Sequence, residues 1–167
     1  MSAGMEQIRA QMAEHLNSHG VVAVTAWPDS GRTEEDRVVA VVSLRGCQVG
    51  PAGFQNYLGE RYDRETGLWQ ERYGRRARLT FGLDLYAPKQ GSGQQVQEAF
   101  DRMAGALLTG GPAGLAVEEF SCGETGYDPE SRRLKRPAQA VCTAILYETV
   151  RAGGEFVDFE LRGVVKP

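Results

Sequence analysis

The chain has 167 residues, of which 41% are hydrophobic and 25% are charged, and its formal net charge at pH 7 is −3. This length predicts one compact domain, residues 1–167, with a sizeable core. The weak negative charge argues against a general nucleic-acid-binding protein. The longest mostly apolar run, Val21–Trp27, is far shorter than the ~20 residues that span a bilayer, so we expect no membrane partner.

The first predicted element is a helix over Ser2–Ser18 that ends before Gly20. Four apolar residues form one stripe at helical spacing: Met5, Ile8, Met12 and Leu16. Residues 1–20 lack the apolar core of a secretory signal peptide, so we expect synthesis in a cytoplasm.

Two apolar strands are predicted next, Val21–Trp27 and Arg37–Leu44, with a solvated acidic loop at 29–36 between them. Every residue from Val38 to Val42 is apolar, which predicts burial on both faces of the second strand. Gly46–Gly53 is predicted to be irregular.

A β-hairpin is predicted over about residues 54–74, with arms Phe54–Asp63 and Gly67–Tyr73 and a turn at Asp63–Gly67. Aromatic and charged residues mix along both arms without clear alternation. Aromatic residues with arginine are typical of protein interfaces, and the alternative is that the rings cover one sheet edge. The candidate interface residues of this hairpin are Phe54, Tyr57, Tyr62, Trp69, Arg72 and Tyr73.

The centre of the chain predicts a strand, a short loop and an amphipathic helix. Leu79, Phe81, Leu83 and Leu85 alternate with polar residues or glycine over Arg78–Tyr86, which indicates one buried face. Ser92 and Gln95 form a capping box at the start of the helix, and Gly110 and Gly111 end it. The apolar helix residues are Val96, Phe100, Met103 and Leu107.

Three closing strands are predicted at Leu115–Phe120, Ala138–Tyr147 and Phe156–Val165, with a long polar loop at Gly123–Pro137. Strands dominate and the helices do not alternate with them, which predicts an α+β fold. We expect a mixed, mostly antiparallel sheet with an N-terminal helix and one long central helix packed on it, plus a protruding β-hairpin.

Cys122 and Cys142 flank that polar loop. A pairing centred on the loop places Cys142 opposite a residue near Glu118, which leaves Cys122 roughly 13 Å away. A disulfide needs Cα atoms within about 7 Å. We therefore predict that these two cysteines and Cys47 are free thiols, in line with a reducing compartment.

Motifs for catalysis and cofactors are weak in this sequence. His15 and His19 have a spacing that suits a metal, but no further ligand is reliably placed, so an exposed helix end is predicted. Gly91-Ser92-Gly93 lacks the phosphate-binding patterns of nucleotide sites, and Gly123–Glu130 lacks calcium-loop spacing. We therefore predict no enzyme, no metal and no cofactor.

Two basic clusters stand at Arg72–Arg78 and Arg132–Arg136. If both reached the same side of the protein, they would form a basic patch or line a ring, as for a nucleic-acid contact. Solvated strand ends, neutralised by nearby acidic residues, are the favoured interpretation, so no specific nucleic acid is expected. Arg132 and Arg133 join the candidate interface.

The order of elements resembles a known family. The two strands reading Val-Ala-Val-Thr-Ala-Trp-Pro and Val-Val-Ala-Val-Val-Ser-Leu, the hairpin, and Leu-Thr-Phe-Gly-Leu-Asp-Leu-Tyr-Ala-Pro before one long helix resemble the tail terminator proteins of long-tailed bacteriophages and related contractile particles. The resemblance covers nearly the whole chain in size and element order, without a diagnostic motif.

This resemblance implies a non-enzymatic virion protein, made in the bacterial host cytoplasm from a phage or prophage. It implies a homo-oligomeric ring, often a hexamer, that ends the tail tube. Its partners would be the tail tube protein, a head-completion or neck protein, and the sheath protein if the tail is contractile. The alternatives are a head-tail connector, a tail tube subunit, or a small ligand-binding domain or enzyme using a pocket between the second helix and the sheet.

Overall fold

The computed structural model describes residues 4–26, 37–51, 57–88, 93–151 and 155–162. The elements are α1 (Gly4–Ser18), β1 (Ala23–Val24), β2 (Val39–Pro51), β3 (Tyr57–Asp63), β4 (Leu68–Ala87), α2 (Gly93–Leu108), β5 (Ala116–Cys122), β6 (Gly126–Asp128), β7 (Arg133–Arg136), β8 (Ala138–Arg151) and β9 (Glu155–Arg162). The α+β prediction is confirmed, since within these ranges two helices accompany a nine-stranded mixed sheet that includes the hairpin.

Strand β4 is the axis of the sheet. One of its edges pairs first with β3 and then with β2, and its other edge pairs with β8 and then with β7. The outer edge of β8 pairs with β5 and β9. Strands β1 and β2 are parallel, and the other described pairs are antiparallel. One half of the sheet thus carries the helices. The other half, made of β3 and the ends of its neighbouring strands, extends beyond the helices, and we call it the sheet extension.

The hydrophobic core lies between the helices and one face of β4. Alternate β4 residues from Ala77 to Ala87 are fully buried, as the predicted alternation requires. Ile8, Met12 and Leu16 of α1 pack into the same core. Met5 is 42% exposed, so the predicted stripe of the first helix begins one turn later, at Ile8. The core residues of α2 and of the segment that follows it are Val96, Met103, Ala106, Leu107 and Leu115.

Several strand boundaries differ from the predicted ones. The second hairpin arm and the central strand form one continuous 20-residue strand, β4. Strand β2 runs through the predicted irregular segment to Pro51, with a register shift between Leu44 and Gly46. The backbone N–H and C=O groups along this edge of β4 form hydrogen bonds with the segment, so it is a strand despite its glycines. Conversely, the predicted strand Val21–Trp27 is reduced to two paired residues, and its Trp27 lies outside the described residues.

The predicted polar loop Gly123–Pro137 is wrong in its interior. Strands β6 and β7 pair there as a hairpin, and β7 joins the sheet where Arg136 lies opposite Leu85. Asp128 closes the turn by accepting hydrogen bonds from the Ser131 backbone N–H and hydroxyl at 3.2 and 2.6 Å. Arg132 has a φ of 55° in this turn. The polar sequence of β7 forms a strand because its backbone pairs with the edge of β4.

Asp84 links four strands on the face of β4 opposite the core. Its Oδ2 accepts a hydrogen bond from Arg45 Nη2 at 2.6 Å and lies 3.8 Å from Lys135 Nζ. Its Oδ1 accepts from the Ala138 backbone N–H at 3.2 Å. A Cβ on Gly82 would lie 2.6 Å from Arg45 Nε, so this glycine leaves the space through which the guanidinium reaches Asp84.

We expect Asp84→Ala to lower the free energy of unfolding by about 1–3 kcal/mol, because a buried donor and two cations lose their acceptor. Urea denaturation followed by circular dichroism measures the effect. Glu119→Ala, at an exposed residue of β5, is the control and should change stability by less than about 0.5 kcal/mol. Equal stabilities for the two variants would contradict the role assigned to Asp84.

The cysteines are free thiols, with Cys47 and Cys122 exposed and Cys142 buried. Val117 lies opposite Cys142, one position from the expected Glu118, because β5 has a register shift just after Val117. Burial, assisted by the negative charge of Glu118, raises the pKa of Cys142 to about 12.

Two of the three thiols should therefore react with an aromatic disulfide reagent in the native protein. The third should react only after unfolding in guanidinium chloride, because Cys142 is both shielded and protonated near neutral pH. Absorbance of the released thiolate counts the groups. Fast reaction of all three thiols without denaturant would contradict the burial of Cys142.

Candidate protein–protein interface

A tight turn ends the β3–β4 hairpin at its outer tip. The Gly67 N–H donates to the Asp63 carbonyl at 2.8 Å, and Gly67 has a φ of 69°, which suits glycine. The Asp63 carboxylate accepts from the Thr66 hydroxyl at 2.8 Å and from the Glu65 N–H at 3.0 Å. These bonds, with that from Thr66 the stronger, lower the pKa of Asp63 below 3.8.

The lowered pKa predicts how this turn depends on pH. Because the folded-state pKa is depressed, the stabilisation is fully present above the unfolded pKa near 3.8 and is lost as pH falls through the folded value. In an acid titration followed by NMR, the Glu65 amide should shift with a midpoint below pH 3.8. Asp63→Asn should remove this titration, and a wild-type midpoint above 3.8 would contradict the geometry.

One side of the hairpin carries two cross-strand aromatic pairs. Tyr57 lies opposite Tyr73 with ring centroids 5.5 Å apart, and Tyr62 lies opposite Trp69 at 5.4 Å, both edge to face. The exposed fractions of Tyr57, Tyr62 and Trp69 are 43%, 48% and 55%. We call this side the aromatic face. Such pairs stabilise a hairpin, yet about half of the surface of Tyr57, Tyr62 and Trp69 still meets solvent.

The aromatic face also carries negative charge. Glu60 lies opposite Glu71, between the two aromatic pairs. The Tyr73 hydroxyl donates to Glu71 Oε2 at 2.8 Å, which shows that these two side chains share the face. Partial burial, and then the charges of Glu60 and Glu71, raise the pKa of Tyr57. Arg75 stands at the inner border of this face, toward the core.

The opposite side of the sheet is basic, from the extension to the adjoining part of β4 behind the core. Residues two apart on a strand share a face, and β4 pairs with β8 without a register shift over Gln70–Gly82. Arg76 and Arg78 therefore lie opposite the aromatic face, as does Arg61, which pairs with Gln70. All three arginines are exposed. We call this side the basic face.

The hairpin sequence shows no clear alternation of aromatic and charged residues, but the structure places its four aromatic rings on one face. Tyr57 and Tyr62 are five residues apart, which would put them on opposite faces of a regular strand. A register shift between Tyr57 and Gly59 turns both to the aromatic face. Gly59 has a φ of 118°, a conformation that residues with a side chain rarely adopt.

The predicted interface residues fall into separate groups. Tyr57, Tyr62, Trp69 and Tyr73 lie together, whereas Phe54 lies outside the described residues. Arg72 belongs to β4 opposite Gly59. Arg132 and Arg133 lie in and beside the β6–β7 turn, which joins β4 at its far end, about 40 Å of extended strand from Tyr73. The nearest strand positions of the two basic clusters, Arg78 and the Leu85 position opposite Arg136, are roughly 23 Å apart along β4, with Asp84 between them.

Arg136, the last residue of the second basic cluster, holds the β6–β7 hairpin to the body of the protein. Arg136 donates to Gln97 Oε1 at 2.7 Å and to the Gly123 carbonyl at 3.2 Å. Its guanidinium carbon is 4.5 Å from the centroid of the Phe100 ring, which itself stacks on Phe120 at 5.1 Å. These contacts place Arg136 at a strand end that packs on α2 and β5.

The two histidines lie at the end of α1. His15 Nε2 is 2.9 Å from the Ala106 carbonyl of α2, so His15 connects the helices and is half-buried rather than exposed as predicted. His19 Nδ1 is 2.8 Å from the His15 carbonyl and is exposed. Within the described ranges, no group of three or more His, Cys, Asp or Glu side chains is arranged to hold a metal ion.

A cleft of about 350 Å³ lies beside α2, near the site of the pocket in the ligand-binding hypothesis. It separates the N-terminal half of α2 from the segments around β1 and the start of β2. Its lining residues are Gly20, Val21, Val22, Arg37, Val38, Gln95, Glu98, Ala99 and Arg102. In the part of the chain that the structure describes, neither helix is long and apolar enough to cross a membrane.

The comparison with solved structures finds similarity of fold, whereas the comparisons of sequence find none. No protein-family model matches the chain, and no curated protein matches it. Among solved structures, the chain is similar to the sheath/tube terminator of an extracellular contractile injection system, PVC, in its extended state, with a TM-score of 0.49 and 10% sequence identity. The similarity covers 100% of this chain, which spans 65% of the length of that terminator chain.

Proposed function

We propose that this chain is a structural subunit of a phage tail or related particle, which assembles with copies of itself into a ring that ends the tail tube. The observation that carries the proposal is the pair of exposed cross-strand aromatic contacts on the aromatic face. The four rings belong to an extension of the sheet beyond the helices, where they contribute little to the core.

Leaving these aromatic rings exposed to solvent costs free energy. Burying apolar surface is worth about 25 cal/mol per Å², and exposed aromatic clusters on a folded chain mark contact sites. Tyrosine and tryptophan dominate the binding energy of protein interfaces because large rigid rings lose little entropy on binding. A ring subunit uses such a surface without any nucleophile, metal or cofactor.

The resemblance in element order directs this proposal toward tail terminators. On this basis residues 1–167 act as a single domain, and the ring is a hexamer. The ring would contact the tail tube protein, a head-completion or neck protein and, in a contractile tail, the sheath protein. The β6–β7 hairpin with Arg132 and Arg133 is the second proposed contact surface, at the opposite end of β4 from the aromatic face.

The test combines electron microscopy with tube binding. Negatively stained purified protein should show closed rings, and added protein should bind the ends of isolated tail tubes. Open filaments of the protein alone would instead favour a tube subunit, and rings that bind portal or neck proteins but not tubes would favour a connector. Absence of both assembly and tube binding at high protein concentration would contradict the proposal.

A further inference from the structure

The sheet carries opposite chemistry on its two sides, in the extension and in the adjoining part of β4, where Arg76 and Arg78 flank the core residue Ala77. Its aromatic face holds four rings around the carboxylates of Glu60 and Glu71. Its basic face holds the exposed guanidinium groups of Arg61, Arg76 and Arg78. The two sides are separated by the thickness of one sheet.

We infer that these two faces bind each other between copies of the chain, so that the aromatic face of one subunit packs against the basic face of the next. This inference deepens the proposed self-assembly and rests on it. The occupant of each face is a second copy of this chain. The contact is head-to-tail, and repetition by a constant rotation closes it into a ring.

Charge complementarity distinguishes this contact from the symmetric alternatives. If two aromatic faces met across a two-fold axis, Glu60 and Glu71 would approach their own copies, and like charges at close range are unfavourable. Two basic faces meeting would bring arginines together in the same way. In the head-to-tail contact, guanidinium groups meet carboxylates, with which they form strong charge-assisted hydrogen bonds.

The aromatic rings also favour contact between the aromatic face of one subunit and the basic face of the next. A guanidinium group packs well on the face of a tryptophan or tyrosine ring. Trp69 and Tyr62 present about half of their surfaces to solvent, and Arg61, Arg76 and Arg78 are exposed on the other side. Arg75 on the aromatic face and Glu119 on the basic side, two strands from Thr80, would lie at the edges of the contact.

Two charge-reversal variants test the inference in the full chain. The first, Glu60→Arg with Glu71→Arg, alters the aromatic face and leaves the basic face intact. The second, Arg76→Glu with Arg78→Glu, does the reverse. Each alone should lose self-association at least about tenfold, which is 1.4 kcal/mol. Their equimolar mixture should regain self-association, because the two intact faces still pair with each other and the two reversed faces carry complementary charges.

Combining the four substitutions provides a second readout. The chain then carries positive charge on the aromatic face and negative charge on the other, so it should assemble again. Glu14→Arg with Glu98→Arg, at exposed positions of the two helices, is the matched control and should assemble like the wild type. Circular dichroism melting curves verify that each variant is folded, and sedimentation velocity measures its mass.

The outcomes separate the two proposals. If the wild type is monomeric at all concentrations, the proposed ring function fails, and this inference fails with it. If the wild type assembles but both charge-reversal variants assemble equally well, the inference alone is overturned. A mixture of folded variants that stays monomeric would also overturn it.

Discussion

Trp69→Ala is expected to weaken self-association at least about tenfold, or 1.4 kcal/mol, while leaving the fold intact. Trp69 is 55% exposed and contacts Tyr62 at the outer part of the aromatic face. Truncating a tryptophan that is a hot spot of an interface costs about 2 kcal/mol or more. The isolated subunit loses one exposed cross-strand pair, worth about 0.2–1 kcal/mol. Sedimentation velocity measures association, and urea denaturation measures stability.

Leu108→Ala is the control for an exposed apolar residue outside the sheet extension. Leu108 is 78% exposed at the end of α2, so its truncation should change neither association nor folding. If Trp69→Ala assembles like the wild type and is equally stable, the hairpin does not belong to the interface. If both variants lose association equally, the effect is not specific to the aromatic face.

Phe81→Ala is expected to lower the free energy of unfolding by about 3–5 kcal/mol. Phe81 is fully buried in the middle of β4, where its neighbours in register are Leu44 on β2 and Ala140 on β8. Removing the ring leaves a cavity between the sheet and the helices that these neighbours fill only in part. The loss is a large share of the about 5–15 kcal/mol that stabilises a typical domain.

Phe81→Leu retains most of the apolar volume and should cost about 1.5 kcal/mol or less. Urea denaturation curves of the two variants and the wild type, followed by circular dichroism, give the three free energies. Equal stabilities for Phe81→Ala and the wild type would mean that this residue is not at the centre of the core.

The central part of the fold was predictable because its signals are local. The alternation from Leu79 to Leu85 shows the buried face of β4 directly, and the apolar spacing from Val96 to Leu107 shows the buried face of α2. The turn Asp63–Gly67 was predictable from its composition, since Asp, Thr and Gly make the hydrogen bonds that close it.

The missed strands depend on contacts between distant residues. Gly46–Pro51 and Arg133–Arg136 pair with β4 because this 20-residue strand offers backbone groups along both of its edges, which no local pattern reveals. The candidate interface was predictable in composition but not in arrangement. The register shift after Tyr57 places the four rings on one face, and only the pairing with β4 shows it.

The mass of the purified protein in solution tests the proposed self-assembly most directly. Size-exclusion chromatography with light scattering over a hundredfold range of concentration should show a closed oligomer, expected to be six copies of the 18.3 kDa chain, with no larger species as concentration rises. A single species of 18.3 kDa at every concentration would contradict the proposal that this protein is a ring subunit.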